Sequence, residues 1–232
     1  MKKLLFIVFL FSYMFAYSQV EDGFTEYERP DYELIKKNIE DKSSDFYYPI
    51  LFERYLSGDK TLNLEESRHI YYGYRYHKDY SPYSRTDTKL TDKIRRLLNK
   101  ESLSTKEMKS LIKLIDKSLE IELFDVRYMS YQRHFYKELG EMEKFEKVGA
   151  KIDVVVNSLL SSGRGLDKEN PIYVVNVNNE YDYLFIWGLS SKSQALIDSF
   201  DYLKLSENQY DIEGLYFEIS PCLDALSKMF EK

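Results

Sequence analysis

Apolar residues recur at three- and four-residue spacing from Tyr32 onward, and this spacing predicts a series of amphipathic helices. The second helix is predicted to begin near Pro49, to run through Leu56 and to end at Gly58, since proline favours the first turn of a helix and glycine its end. Short turns join successive helices, which is typical of antiparallel hairpins. Residues 31–161 are therefore predicted to form a helical-hairpin stack.

The start of one helix is marked clearly at Ser104. Glu107 follows three residues later, so the serine and glutamate side chains can satisfy each other's backbone amides as a capping box. Further helices are predicted over residues 64–77 and 88–98, and a long one from about residue 141 toward residue 160.

The pattern changes after residue 161, where small and polar residues predict a linker over residues 162–170. Residues 171–232 are predicted as an α+β region, and residues 180–189 within it fit either a helix or a strand. Short β-branched and aromatic runs predict strands at 171–177, 194–197, 202–205 and 215–219, with a closing helix at 221–230. The predicted fold class is α+β: an N-terminal helical-hairpin stack, then a small mainly antiparallel sheet with a C-terminal helix. Whether the helices and strands share one core is left open.

Residues 1–18 have the composition of a cleaved signal peptide. Two lysines near the start precede an apolar stretch shorter than the roughly 20 residues that a membrane-spanning helix needs. Ala16 and Ser18 place small side chains at the positions that a signal peptidase reads, so the cut is predicted between Ser18 and Gln19. A polar leader, residues 19–30, follows, and the mature chain is expected to be periplasmic or extracellular.

The charge and cysteine content narrow the classes of partner. The formal net charge of −6 argues against binding to nucleic acid and to anionic membrane surfaces, because phosphate contacts need a surplus of lysine and arginine. Cys222 is the single cysteine, so a lipid anchor at the predicted cut and an internal disulfide are both excluded. No later segment is apolar and long enough to cross a bilayer, and no membrane span is expected after signal cleavage.

Tyrosine is unusually frequent, with 22 tyrosines beside 14 phenylalanines. The densest cluster lies between residues 65 and 83, and its rings fit two interpretations: an aromatic-lined groove for a sugar or peptide, or a plain aromatic core in which Gly73 allows close packing. If the groove exists, the predicted ligand-binding residues are Arg68, His69, Tyr72, Tyr74 and Tyr76.

Metal and cofactor chemistry is not favoured. Glu66 and His69 have the one-turn spacing of di-iron bundles, but the second such pair is missing. Glu65 and His69 share a helix face, yet a zinc site needs at least three protein ligands, and a histidine held by a carboxylate or hydroxyl in a packed helix is the simpler interpretation. No nucleotide-binding loop, nucleophile elbow or paired Cys-x-x-Cys occurs, so no cofactor and no catalytic residue is predicted.

Several short motifs together resemble a family of exported bacterial proteins that is known only as a domain of unknown function. The motifs are Arg68-His69-Ile70-Tyr71-Tyr72-Gly73-Tyr74, Ser162-Gly163-Arg164-Gly165, Asn179-Glu180-Tyr181, Ser193-Gln194, Asp201-Tyr202-Leu203 and Leu215-Tyr216-Phe217. The resemblance covers nearly the whole mature chain and implies an envelope protein of Gram-negative bacteria. It implies no activity. Arg164 stands where such sequences often have aspartate, so the resemblance suggests no cation site there.

The predicted function is that of a non-enzymatic exported envelope protein that acts as a platform for another envelope protein or an extended ligand. The alternative is an unrecognised hydrolase or carbohydrate-binding module that uses the tyrosine-rich region around Arg68, His69 and Tyr72. An enzyme would bring Arg68, His69 and a carboxylate such as Glu65 or Asp79 together in an open cleft, whereas a platform would bury and bond them. The oligomeric state is left open.

Overall fold

The computed structural model describes residues 27–84 and 86–230, and this part of the chain contains nine α-helices and one four-stranded sheet. The helices are α1 (Tyr32–Glu40), α2 (Tyr48–Ser57), α3 (Leu64–Gly73), α4 (Thr88–Leu98), α5 (Thr105–Leu119), α6 (Val126–Glu138), α7 (Met142–Leu160), α8 (Asn178–Trp187) and α9 (Ser220–Phe230). The strands are β1 (Ile172–Tyr173), β2 (Ser191–Ile197), β3 (Phe200–Leu205) and β4 (Gly214–Glu218). The predicted α+β fold class is confirmed, and the predicted signal peptide lies outside the described residues.

The predicted helix start at Ser104 and the predicted helix end at Gly58 are both confirmed. The backbone N–H of Ser104 donates to Glu107 Oε2 at 2.9 Å, and the N–H of Glu107 donates to Ser104 Oγ at 3.3 Å, which completes the capping box of α5. Gly58 ends α2 in the left-handed conformation, as a glycine at this position allows.

Two predicted elements are shorter than expected. The helix predicted over 64–77 ends at Gly73 and continues as a 3-10 turn, Tyr74–Tyr76, because the last hydrogen bonds span three residues instead of four. The strand predicted over 171–177 pairs with β4 only at Ile172–Tyr173. The chain then turns into α8, since Asn176 Oδ1 accepts a hydrogen bond from the backbone N–H of Asn178. Residues 180–189, for which the sequence allowed either structure, lie mostly in this helix.

The sheet has the strand order β1-β4-β3-β2. β3 pairs antiparallel with β2 and β4, and only the short β1 runs parallel to β4, so the sheet is mainly antiparallel as predicted. Alternate residues of β3 and β4 point inward: Leu203, Leu215 and Phe217 are almost fully buried, and the ring of Phe217 lies 5.9 Å from that of Tyr183 in α8.

Buried side chains of the helices and of the sheet form one continuous hydrophobic cluster. α7 is central to it, because this helix packs against α2, α3 and α6 and also contacts β1. The predicted linker is itself partly buried. A Cβ on Gly163 would lie 2.0 Å from the carbonyl oxygen of Pro171, so only glycine fits there.

Gly58 also allows α2 to approach α7 closely. A Cβ at Gly58, which has φ +73°, would lie 2.6 Å from the carbonyl oxygen of Lys147. We expect Gly58→Ala to lower the free energy of unfolding by about 3 kcal/mol, because a backbone clash adds to the left-handed strain. Gly140→Ala is the control: its φ is +71° but nothing lies within 4 Å, so a loss of about 1 kcal/mol is expected. Urea unfolding would measure both, and equal losses would contradict the role of the α2–α7 contact.

Candidate functional site

Arg68, the first of the five predicted ligand-binding residues, lies in α3 with 4% of its surface exposed. Its guanidinium donates hydrogen bonds to Ser161 Oγ at 2.9 Å and to the backbone oxygen of Glu28 at 2.8 Å. It also lies 5.6 Å from the centre of the Tyr72 ring. Arg68 therefore joins α3 both to the end of α7 and to the chain segment that precedes α1.

His69 is equally buried and bonded. Its Nδ1 lies 2.8 Å from the backbone oxygen of Glu65, its Nε2 lies 3.1 Å from Asn38 Nδ2, and its ring stacks on Phe46 at 3.9 Å. Because a carbonyl oxygen can only accept, we assign the proton to Nδ1, and Nε2 then accepts from Asn38. Burial lowers the pKa of His69. The ring is therefore held neutral at neutral pH, with both nitrogens already bonded.

The three predicted tyrosines occupy different environments. Tyr72 is fully buried and its hydroxyl donates to the backbone oxygen of Ser158 at 2.8 Å. Tyr74 is half-buried, and the hydroxyl of Tyr76 donates to the backbone oxygen of Tyr32 at 3.0 Å. None of the five predicted residues lines either of the two clefts that follow. Their role in ligand binding stays a prediction.

Arg68 does hold one wall of a cleft in place. Residues 28–31 form a strap along the protein surface, where the backbone N–H of Glu28 donates to the Ser161 backbone oxygen at 3.0 Å, next to the bond from Arg68. At the far end of the strap, the side chain of Asp31 caps the N-terminus of α1. The strap is thus fixed at both ends.

The larger cleft has a volume of about 730 Å³ and lies between the strap, the 3-10 turn and the sheet. We call it the Glu218 cleft. It is lined by Glu28, Arg29, Pro30, Asp31, Tyr32, Glu33, Arg75, Tyr173, Phe200, Glu218 and Ser220. The lining therefore combines carboxylates, guanidinium groups and aromatic rings, which is the mixture of flat apolar faces and directed polar groups found in ligand sites.

Glu218 is the most unusual group in this cleft. It is the last residue of β4, only 8% exposed, and its Oε1 accepts hydrogen bonds from the backbone N–H of Ser220 at 3.1 Å and from the Ser220 hydroxyl. Its Oε2 is buried and makes no hydrogen bond to any described residue. Burial raises the pKa of Glu218, although the bonds from Ser220 oppose this shift. Such an unpaired buried oxygen is rare in a folded protein and needs an explanation.

Tyr32 and Arg75 stand beside Glu218. The hydroxyl of Tyr32 is also buried without a hydrogen-bond partner among the described residues, and burial raises its pKa well above the ordinary value, with Tyr72 and Glu218 adding to the shift. The guanidinium of Arg75 lies 4.4 Å from the centre of the Tyr32 ring and donates to Asp224 Oδ2 at 3.0 Å. Arg75 is therefore fixed in place with further N–H donors that this bond does not use.

The outer face of the sheet continues from the cleft as a row of rings. Tyr202 of β3 is opposite Tyr216 of β4, Phe200 is opposite Glu218, and Tyr173 of β1 is paired with Glu218. Residues that are opposite one another share a face, so all four rings lie on the same side of the sheet as Glu218. We call these four half-buried rings the aromatic face.

Gly214 fixes the position of one of these rings. A Cβ on Gly214 would lie 2.3 Å from the hydroxyl oxygen and from Cζ of Tyr202, so the ring of Tyr202 lies directly over the glycine backbone. The centres of the Tyr202 and Tyr216 rings are 4.7 Å apart. The two rings therefore form one continuous apolar patch.

A smaller cleft of about 320 Å³ lies at the C-terminal end of α8 and includes Trp187 and Tyr210. Their rings are perpendicular and 6.1 Å apart, with 38% and 39% of each residue exposed. The side chain of Asn208 in this cleft bonds to the backbone of its own loop. The cleft carries no unpaired buried polar group of the kind seen at Glu218.

Other chemistries find little support in the part of the chain that the structure describes. No group of three or more histidine, cysteine, aspartate or glutamate side chains in it could hold a metal ion. Cys222 is buried, and burial raises the pKa of its thiol to about 12, so it is protonated at neutral pH. Among the described helices, none has both the length and the apolar character needed to span a membrane.

None of the residues that line the Glu218 cleft was predicted from the sequence as a ligand-binding residue. Strands were predicted over 202–205 and 215–219, and strand alternation alone would have placed Tyr216 and Glu218 on one face. The sequence pattern was therefore sufficient to place these two residues on one face of the sheet. No local signal connects either residue to Arg75 or Tyr32, which come from the helical half of the chain.

The model of a family described as Domain of unknown function (DUF4919) matches residues 33–228. The resemblance drawn from the sequence motifs, to a family known only as a domain of unknown function, is confirmed by this match. No curated protein and no solved structure matches the chain.

Proposed function

We propose that this chain, which belongs to the DUF4919 family, is a non-catalytic binding protein that holds an extended ligand on the aromatic face and in the Glu218 cleft. The observation that carries the proposal is the continuity of these two features. Glu218, with its unpaired buried oxygen, lies on the same sheet face as Tyr202 and Tyr216. A ligand that enters the cleft can therefore also lie across exposed ring surface.

The geometry favours a ligand longer than one small molecule. The Tyr202–Tyr216 pair is two residues along the strands from the Phe200–Glu218 pair, a separation of about 7 Å. A ligand that contacts Glu218 and both tyrosines must span at least this distance, which corresponds to two or more sugar or amino-acid units. This supports the platform predicted from the sequence.

The hydrolase alternative receives less support at its predicted location. It required Arg68, His69 and a carboxylate in an open cleft, but Arg68 and His69 are each 4% exposed and bonded within the protein. Asp79, one of the two carboxylates considered, is paired with His77 at 3.7 Å. Binding rather than hydrolysis is therefore the function that we propose.

Substitution of the aromatic face tests this proposal. Tyr202→Ala is expected to weaken binding about fivefold, since stacking on one ring contributes on the order of 1 kcal/mol. Binding would be measured by NMR titration with neutral tetrasaccharides and with short acidic and basic peptides. Tyr210→Ala is the matched control, because Tyr210 is exposed but lies in the smaller cleft.

Three results would contradict the proposal. These are the failure of every probe to bind, binding that survives both Tyr202→Ala and Tyr216→Ala, and cleavage of a bound probe. A stable fold in each variant would be verified by thermal unfolding before the titrations.

We also propose that the chain is exported and acts in the periplasm or outside the cell. Support comes from the basic start, the apolar stretch and the small residues Ala16 and Ser18. Mass spectrometry of the native protein would test this: a mature form that begins at Gln19 is expected, and a cytosolic form that retains Met1 would reject export.

A further inference from the structure

We infer that the ligand is a neutral oligosaccharide, with one sugar unit in the Glu218 cleft and a neighbouring unit stacked on Tyr202 and Tyr216. This inference rests on the proposed function, because it names the class of ligand for the same site. Three features of the described residues carry it: two unpaired polar atoms, the ring surface and the balance of charges.

The unpaired atoms call for a ligand rich in hydroxyl groups. Glu218 Oε2 can accept a hydrogen bond when ionised, and the hydroxyl of Tyr32 can donate and accept; both are buried without a partner among the described residues. A hydroxyl group both donates and accepts, so a sugar hydroxyl that reaches either atom can pair with it. The N–H groups of Arg75 that Asp224 does not use can donate to further sugar oxygens.

The ring surface complements the apolar side of a sugar. The C–H groups on one side of a pyranose form a flat apolar patch, and such a patch loses its contact with water when it stacks on an aromatic ring. Tyr202 and Tyr216 present a half-exposed surface of this kind, with ring centres 4.7 Å apart. Their hydroxyl groups can bond to water or sugar hydroxyls at the edge.

The charges around the cleft disfavour an acidic ligand. Glu28, Asp31, Glu33 and Glu218 line the cleft together with two arginines, Arg29 and Arg75. An acidic peptide would be repelled because the four carboxylates outnumber the two guanidinium groups, whereas a basic peptide would still face Arg29 and Arg75. A neutral ligand with many hydroxyls can use both kinds of group, so its binding should depend only weakly on salt.

Tyr32→Phe is the most specific variant for this inference. It removes only a hydroxyl that has no hydrogen-bond partner in the described protein, so thermal stability should be retained. Affinity for the preferred sugar is expected to fall about fivefold, because one ligand hydrogen bond is lost. Tyr181→Phe is the control. Tyr181 lies in α8, away from the cleft lining, and its hydroxyl donates to Gln194 Oε1 at 2.8 Å.

The experiment titrates cellotetraose, chitotetraose, maltotetraose and xylotetraose into the mature chain at low and high salt, with tetralysine and tetraglutamate as charged probes. Binding of at least one tetrasaccharide, weakened by Tyr32→Phe but not by Tyr181→Phe, supports the inference. If no sugar binds but a peptide binds and Tyr202→Ala abolishes its binding, the sugar class is rejected and the proposed function stands. If no probe binds, or if Tyr202→Ala and Tyr216→Ala leave binding unchanged, both the sugar class and the proposed function are rejected.

Discussion

Glu180→Gln is expected to raise the free energy of unfolding by on the order of 3 kcal/mol at pH 7 and to leave it unchanged near pH 4. Glu180 lies in α8 with 0% of its surface exposed. Burial, together with the negative charge of Asp201, raises the pKa of Glu180 from 4.5 to about 9. The folded protein therefore keeps this carboxyl protonated at neutral pH.

The direction of the pH effect follows from this raised pKa. Above pH 4.5 the unfolded chain releases the proton while the folded protein retains it, so stability falls as pH rises toward 9. Glutamine has the shape of the protonated acid and does not titrate, so the variant loses this dependence. Asp125, whose pKa is raised to about 7 by burial and by Asp182, should leave a smaller dependence of the same sign in the variant.

Urea unfolding of wild type and variant at steps from pH 4 to pH 9 would measure the effect. Two curves that stay parallel across this range would show that Glu180 has an ordinary pKa and would reject the prediction. Glu169→Gln, at an exposed position, is the control and should leave the wild-type profile unchanged. The hydrogen bond from Gln194 Nε2 to Asp201 Oδ2, at 2.7 Å, is expected to remain in both proteins.

Asp182→Ala should be the most destabilising single substitution considered, with a loss of about 4 kcal/mol. Asp182 is fully buried, and its oxygens accept from the backbone N–H of Val126 at 3.1 Å, Arg127 Nε at 2.8 Å and Asn179 Nδ2 at 2.9 Å. Alanine would leave all three donors without this acceptor. The hydrogen bond from Val126 also fixes the first turn of α6 to α8, so the loss should affect the packing of these two helices.

Asp198→Ala provides the matched control, because Asp198 is 80% exposed and pairs with Lys168 only at the surface. A change below about 1 kcal/mol is expected there. Asp182→Asn should fall between the two, since it keeps one acceptor oxygen and removes the charge. If thermal and urea unfolding showed Asp182→Ala and Asp198→Ala to be equally stable, the buried network would have no structural role.

Secondary structure was largely predictable, because its signals come from residues close together in sequence. The capping box at Ser104 depends on a side chain three residues away, and the end of α2 depends on the conformational freedom of Gly58. The two elements that were predicted too long, at 64–77 and 171–177, end where hydrogen bonding in the turn decides the boundary.

The candidate site was less predictable. Ligand-binding residues were predicted in the tyrosine-rich cluster because its rings are close together in sequence. In α3, however, consecutive residues such as Tyr71 and Tyr72 are both buried against neighbouring elements. Arg68 holds the strap that forms one wall of the Glu218 cleft, and no local pattern in the sequence indicated this contact.

The sequence by itself determined the α+β class, most helix positions, the membership in a family known only as a domain of unknown function and the expectation of export. Only the tertiary structure decided which polar groups lack partners and which rings stay accessible. The physical reason is that helix and strand formation depend on near neighbours, whereas burial and pairing depend on contacts between distant segments. Glu218, Arg75 and Tyr32 line one cleft because the core of helices and sheet packs as one unit.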